Sequence, residues 1–152
     1  MQSLSEQISK LQTYIPNFDT VNPAVSNVSV GWHIDHCLLV CKVIVEAVSQ
    51  SDPALYKPSY KFSKLLVYTL KKIPRGRGKA PKAVLPENNI VPAALHLHVQ
   101  KALDKTNTLA QLKPNNYFEH PYFGKLNVKE TETFLAIHTN HHLKIIKDII
   151  QN

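Results

Sequence analysis

The chain has 152 residues, with 43% apolar and 19% charged residues, the size and composition of one soluble globular domain with a core of its own. Its net charge is +7, and a basic balance of that size raises the question of nucleic acid or anionic lipid as a partner. Only 4 glycines and 2 cysteines exclude a turn-rich barrel or sandwich and a secreted disulfide framework.

The elements follow in order. Leu4, Ile8 and Leu11 predict a first helix over residues 3–14, ended by Pro16. Residues 16–28, rich in Pro, Asn and Ser, read as a loop. Ser29 is the predicted N-cap of a helix from Val30 to Gln50, with Val30, Ile34, Cys37, Leu38, Cys41, Ile44, Val45 and Val48 on its buried face. Phe62, Leu65, Leu66 and Ile73 suggest a short helix over 60–72. Lys71 to Lys82 carries six basic residues interrupted by Pro and Gly, without periodicity, and reads as a basic loop.

A fourth helix is predicted over 90–112, with Pro92 in its first turn and Pro114 beyond its end. His120-Pro-Tyr-Phe-Gly-Lys-Leu-Asn127 reads as a turn with aromatic anchors. Asn127 and Glu130 resemble a capping box for the last helix. In that helix Thr131, Leu135, His138, His142, Ile145 and Ile149 recur at steps of four and three, the spacing of a buried stripe.

Two histidines therefore share the core face of the last helix. One turn apart, their β-carbons stand about 5–6 Å from each other, so both rings can address one atom. His36 falls near the apolar face of the second helix, close to its start. If those helices are neighbours, three imidazoles meet, a donor set that leaves a divalent ion with open positions. His33 competes with His36, and His141 with His142, because residues three apart also share a face. His120 can approach from the turn. His96 and His98 cannot share a face and are expected partly exposed. Asp35 reads as a solvated residue near the helix start. Trp32 reads as a helix-start anchor or the wall of a pocket. Cys37 and Cys41 align with the apolar face and read as small core residues.

The segments Ser29-Val-Gly-Trp-His-Ile-Asp-His36, His120-Pro-Tyr-Phe-Gly-Lys-Leu126 and Ile137-His-Thr-Asn-His-His-Leu143 resemble the DinB superfamily. More narrowly they are similar to its branch with a Gly-x-His-x-x-His start and a His-Pro-Phe-Phe-Gly turn before a His-x-x-His-His helix. The resemblance spans nearly the whole chain. It implies an all-α fold, one DinB-like four-helix bundle over residues 1–152 running up-down-down-up, with the short helix and the basic loop as additions. It implies a divalent ion, zinc or nickel, on His36, His138 and His142. It further implies a small-molecule substrate and, by analogy with S-transferases and a maleylpyruvate isomerase of the superfamily, a low-molecular-weight thiol such as bacillithiol or mycothiol. Hydrolysis by metal-bound water, or a non-catalytic metal- or ligand-binding bundle linked to stress, are the other readings. Relatives that pair through bundle faces imply a homodimer.

No residue stands out as a general base, and no Ser-His-Asp or Cys-His set competes with the metal reading. Nucleic-acid binding is disfavoured, because Arg75, Arg77 and Lys79 alternate with Pro and Gly and form no rigid surface. No window reaches the 18 or so apolar residues of a membrane span, and the N-terminus lacks the apolar core of a signal peptide. The cytosol is the expected compartment.

Overall fold

The computed structural model describes residues 2–76, 80–87 and 89–151. The described residues form helices α1 (Leu4–Gln12), α2 (Val30–Gln50), α3 (Phe62–Leu70), α4 (Pro92–Gln111) and α5 (Val128–Gln151), with strands β1 (Tyr117–His120) and β2 (Gly124–Asn127) between the last two. The fold is mostly helical. α1 and α2 each pack against both α4 and α5, and α3 lies on the outside of α5. The core runs between them through Ile8, Leu11, Ile34, Val45, Leu95, Val99, Leu135 and Ile146.

Side-chain caps start α1, α2 and α5. Ser3 and Glu6 form a complete capping box on α1. The Ser29 side chain accepts the Trp32 backbone N–H at 3.2 Å and begins α2. Asn127 Oδ1 accepts the Glu130 N–H at 2.9 Å, while Glu130 Oε2 accepts the Asn127 N–H at 3.1 Å, so the reciprocal cap of α5 expected from those two residues is formed. The C-terminal end of α2 is closed by buried Asn116, whose amide donates to the carbonyls of Ser51 at 2.8 Å and Val48 at 3.3 Å.

The structure departs from the all-α expectation at the segment before α5. Tyr117–His120 and Gly124–Asn127 pair as an antiparallel hairpin, with His120 opposite Gly124. Each strand has only four residues, too few for alternation to declare itself against a helical background. Gly124 has φ +72°, the left-handed conformation that glycine adopts without steric cost, and it lets the chain re-enter the second strand. The basic loop of the sequence analysis is irregular through Gly76, where Arg75 pairs with Asp148 at 2.6 Å. Its Arg77 and Lys79 lie outside the described residues. Lys82–Val84 forms one 3-10 turn.

A close backbone approach sets the position of the α2 start. The Gly31 N–H donates to the Phe18 carbonyl at 2.7 Å. A β-carbon on residue 31 would stand 2.8 Å from that oxygen and 3.2 Å from the Phe18 β-carbon. Gly31→Ala therefore forces α2 away from the Phe18 loop. The expected cost is about 1–3 kcal/mol of unfolding free energy, the usual range for overpacking, read from urea denaturation.

Candidate metal centre

The first two turns of α2 and the middle of α5 carry the site. His33, His36 and His142 are 4%, 5% and 8% exposed, and His138 is partly buried. The α5 stripe faces inward as its spacing predicts, with Thr131, Leu135, His142, Ile145 and Ile149 buried. Because α2 packs against α5, its His36 meets the α5 pair. Ring centroids are 5.1 Å apart for His36 and His138, 4.9 Å for His36 and His142, and 4.6 Å for His138 and His142. One ring nitrogen from each lies within 4.8 Å of the others. Nitrogens around a tetrahedral zinc with bonds of about 2.0–2.1 Å stand roughly 3.3 Å apart, so the rings need only draw together slightly to hold an ion.

The hydrogen bonds around these rings suit ligation. His36 Nδ1–H donates to the Val84 carbonyl at 2.8 Å, which leaves Nε2 as the nitrogen with a free lone pair. Trp32 stacks on the same ring at 5.0 Å and 15°. His142 Nδ1 is 2.9 Å from His33 Nδ1, so its Nε2 is likewise the nitrogen left over. His138 Nδ1 is buried and has no hydrogen-bond partner among the described residues. A buried, unpaired imidazole nitrogen is costly, and an ion is one of the few partners that removes the cost. The donor set thus fits a divalent metal.

Electrostatics points the same way. Burial, above all, pushes the His33 ring down to about 4 from its ordinary 6.5, with positive charge at His36, His141 and Arg75 adding to the effect. Burial and then the neighbouring histidines hold His138 and His142 well below the usual range. Burial lowers His36 too, against the opposing pull of the Val84 carbonyl and Asp35. Near neutral pH the rings are uncharged, the state in which imidazole binds metal.

The other histidines take different places. His33 is not among the three rings with convergent nitrogens. It lies behind His142 and bonds Ser26 Oγ through Nε2 at 3.0 Å. His141 turns to a groove lined by Leu70, Ile73, Arg75 and Lys144. His120 stacks on Phe123 at 4.2 Å and meets the edge of Phe134 at 4.8 Å, one ring removed from His138. The expectation for Asp35 is corrected: it is buried and accepts a hydrogen bond from His98 Nδ1 at 2.7 Å. The partner comes from α4, a contact that only tertiary packing creates. Cys37 and Cys41 are free and buried, as their alignment with the apolar face suggested.

The family model for the DinB superfamily matches residues 20–146, and the chain belongs to that superfamily. No curated protein and no solved structure matches it. No helix among the described residues is long and apolar enough to cross a membrane.

The lowered histidines set the acid response. Their pKa values are lower folded than unfolded, so between pH 6.5 and about 4 the unfolded chain binds more protons. This stability is fully present above 6.5 and is lost as pH falls through the window. Urea denaturation of metal-free protein should show unfolding free energy dropping across it. His120→Phe, which keeps an aromatic ring on Phe123 but cannot titrate, should make the drop shallower; an unchanged slope contradicts the assignment.

Proposed function

We propose that this chain is a divalent-metal protein of the four-helix, up-down-down-up type, spanning residues 1–152. Its ion, zinc or nickel, is held by His36, His138 and His142. The observation that carries this reading is the convergence of three neutral imidazoles from two helices, one of them with a buried nitrogen that has no partner among the described residues. Three protein ligands leave coordination positions open, which is the pattern of a reactive centre and not of a closed structural one.

The reading favours transfer to or from a small molecule, with a low-molecular-weight thiol as cosubstrate. When bound, the ion lowers the pKa of a thiol or water beside it and supplies a nucleophile at neutral pH. The thiol has to come from outside. Burial pushes the Cys41 thiol up to about 12 and raises Cys37 further, so neither serves as a thiolate. The residues' own contributions are positional. The Val84 carbonyl fixes the His36 tautomer, Trp32 covers its ring face, and Phe134 lies beside His138 at 5.9 Å. The second reading, a metal-binding bundle without turnover, uses the same three ligands. A nucleic-acid role gains nothing from Arg75, whose charge is paired with Asp148.

Protein purified without a histidine tag should contain about one zinc or nickel per chain by elemental analysis. Replacing His36, His138 or His142 by Ala should weaken binding by more than about 100-fold, beyond what loss of a merely supporting group costs. His141→Ala should leave affinity nearly unchanged, and an equal loss there would reassign the ligand set. Ion at about 100 times its Kd should raise unfolding free energy by about 2.7 kcal/mol. Thiol transfer to monochlorobimane, seen with loaded protein and absent from the ligand variants, separates the enzyme from the passive binder.

A further inference from the structure

We infer that His33 is a positioning residue for the metal centre: its Nδ1 accepts a hydrogen bond from the Nδ1–H of His142 and so holds that ring in the tautomer that presents Nε2 to the ion. This rests on the metal reading above and adds to it a residue outside the three ligands.

The hydrogen bonds form a short chain. Ser26 Oγ is 3.0 Å from His33 Nε2, and His33 Nδ1 is 2.9 Å from His142 Nδ1. His33 is 4% exposed, and its ring packs against those of His142 and Trp32 at 5.2 and 5.4 Å, so it is held in place. A neutral imidazole has one donor and one acceptor nitrogen. The chain therefore has two self-consistent directions. In one, Ser26 donates to His33, His33 donates to His142, and His142 keeps its proton on Nε2, where it blocks ligation. In the other, His142 Nδ1–H donates to His33 Nδ1, His33 Nε2–H donates to Ser26, and His142 Nε2 is free.

An ion is compatible only with the second direction. Ser26 is suited to receive at its end. Its oxygen already accepts the Val28 N–H at 3.3 Å, and it has a second lone pair for His33. Its backbone N–H is bonded to the Asn22 carbonyl at 2.8 Å, which anchors the chain's far terminus in the loop before α2. The device parallels the bond from His36 to Val84, with an imidazole in place of a carbonyl. A carbonyl can only accept, so it holds His36 in one tautomer. His33 can accept or donate, and with Ser26 as the acceptor at the far end it supports the ligating tautomer of His142.

The test uses full-length protein labelled with 15N-histidine and loaded with zinc. The Nδ1 of His142 is expected to show a protonated, pyrrole-type shift and the Nδ1 of His33 an unprotonated one, with a scalar coupling across the hydrogen bond between them. His33→Ala should weaken zinc binding by about 10–100-fold, the usual cost of losing such a partner. His33→Asn, whose amide oxygen can stand where Nδ1 stood, should recover most of it. If His33→Ala fails to fold, the shifts in the unaltered protein decide alone. A proton found on His33 Nδ1, unchanged affinity in a folded His33→Ala, or X-ray absorption showing His33 as a fourth ligand each overturns the inference while leaving the metal site standing. Unaltered protein that takes up no zinc overturns both.

Discussion

The structure depends on keeping several imidazoles neutral inside a helical core. An imidazole taken out of water must find a partner for each nitrogen or pay for the omission. His36 finds the Val84 carbonyl, and His33 finds Ser26 and His142. His138 Nδ1 finds nothing among the described residues. Leu or Met at these positions would pack with less cost, since apolar replacements for buried polar groups are often neutral or stabilising. This cost falls at the junction of two helices, where three close histidines could hold a metal ion.

The rest of the fold serves that junction. The α2 start is brought close by the Gly31–Phe18 approach and fixed by the Ser29 cap, so His33 and His36 enter at a defined height. The Asn127–Glu130 cap sets the first turn of α5, and the helix carries that register up to His138 and His142. The hairpin is part of the same arrangement. It brings His120 and Phe123 onto Phe134, and Phe134 against His138, forming an aromatic wall beside the rings. Polar ligands on rigid helices with an apolar, aromatic surround are what give such sites their precision.

How much of this could be read from the residues alone follows from range. The helices, their caps and the inward stripe of α5 depend on neighbours three or four positions apart, and those spacings are written in the chain. The pairing of α2 with α5 is only a condition at the level of residues, raised by His36 on one apolar face and His138 and His142 on the other together with a family resemblance. Contacts made by single polar residues at long range were not legible. Asp35 looked like a solvated helix-start residue until α4 placed His98 against it, 63 positions away. His33 looked like a rival of His36, because position along one helix cannot show that its ring bonds a residue 109 positions further on. The hairpin escaped because two four-residue strands carry little periodic signal.

The surroundings of the site also bear on what it can hold. Arg75 stands near enough to help hold both His33 and His141 below their usual range, and Lys144 adds to the effect on His141. Asp148 offsets part of the Arg75 charge at the surface. Burial is the larger cause for both rings, and these positive side chains add to it. Thiolate chemistry at this site belongs to the proposal above and would need a sulfur that ionises near neutral pH. The buried cysteines cannot fill that role, because the burial that makes them good core residues keeps them protonated. On that proposal the sulfur would have to be brought in from outside.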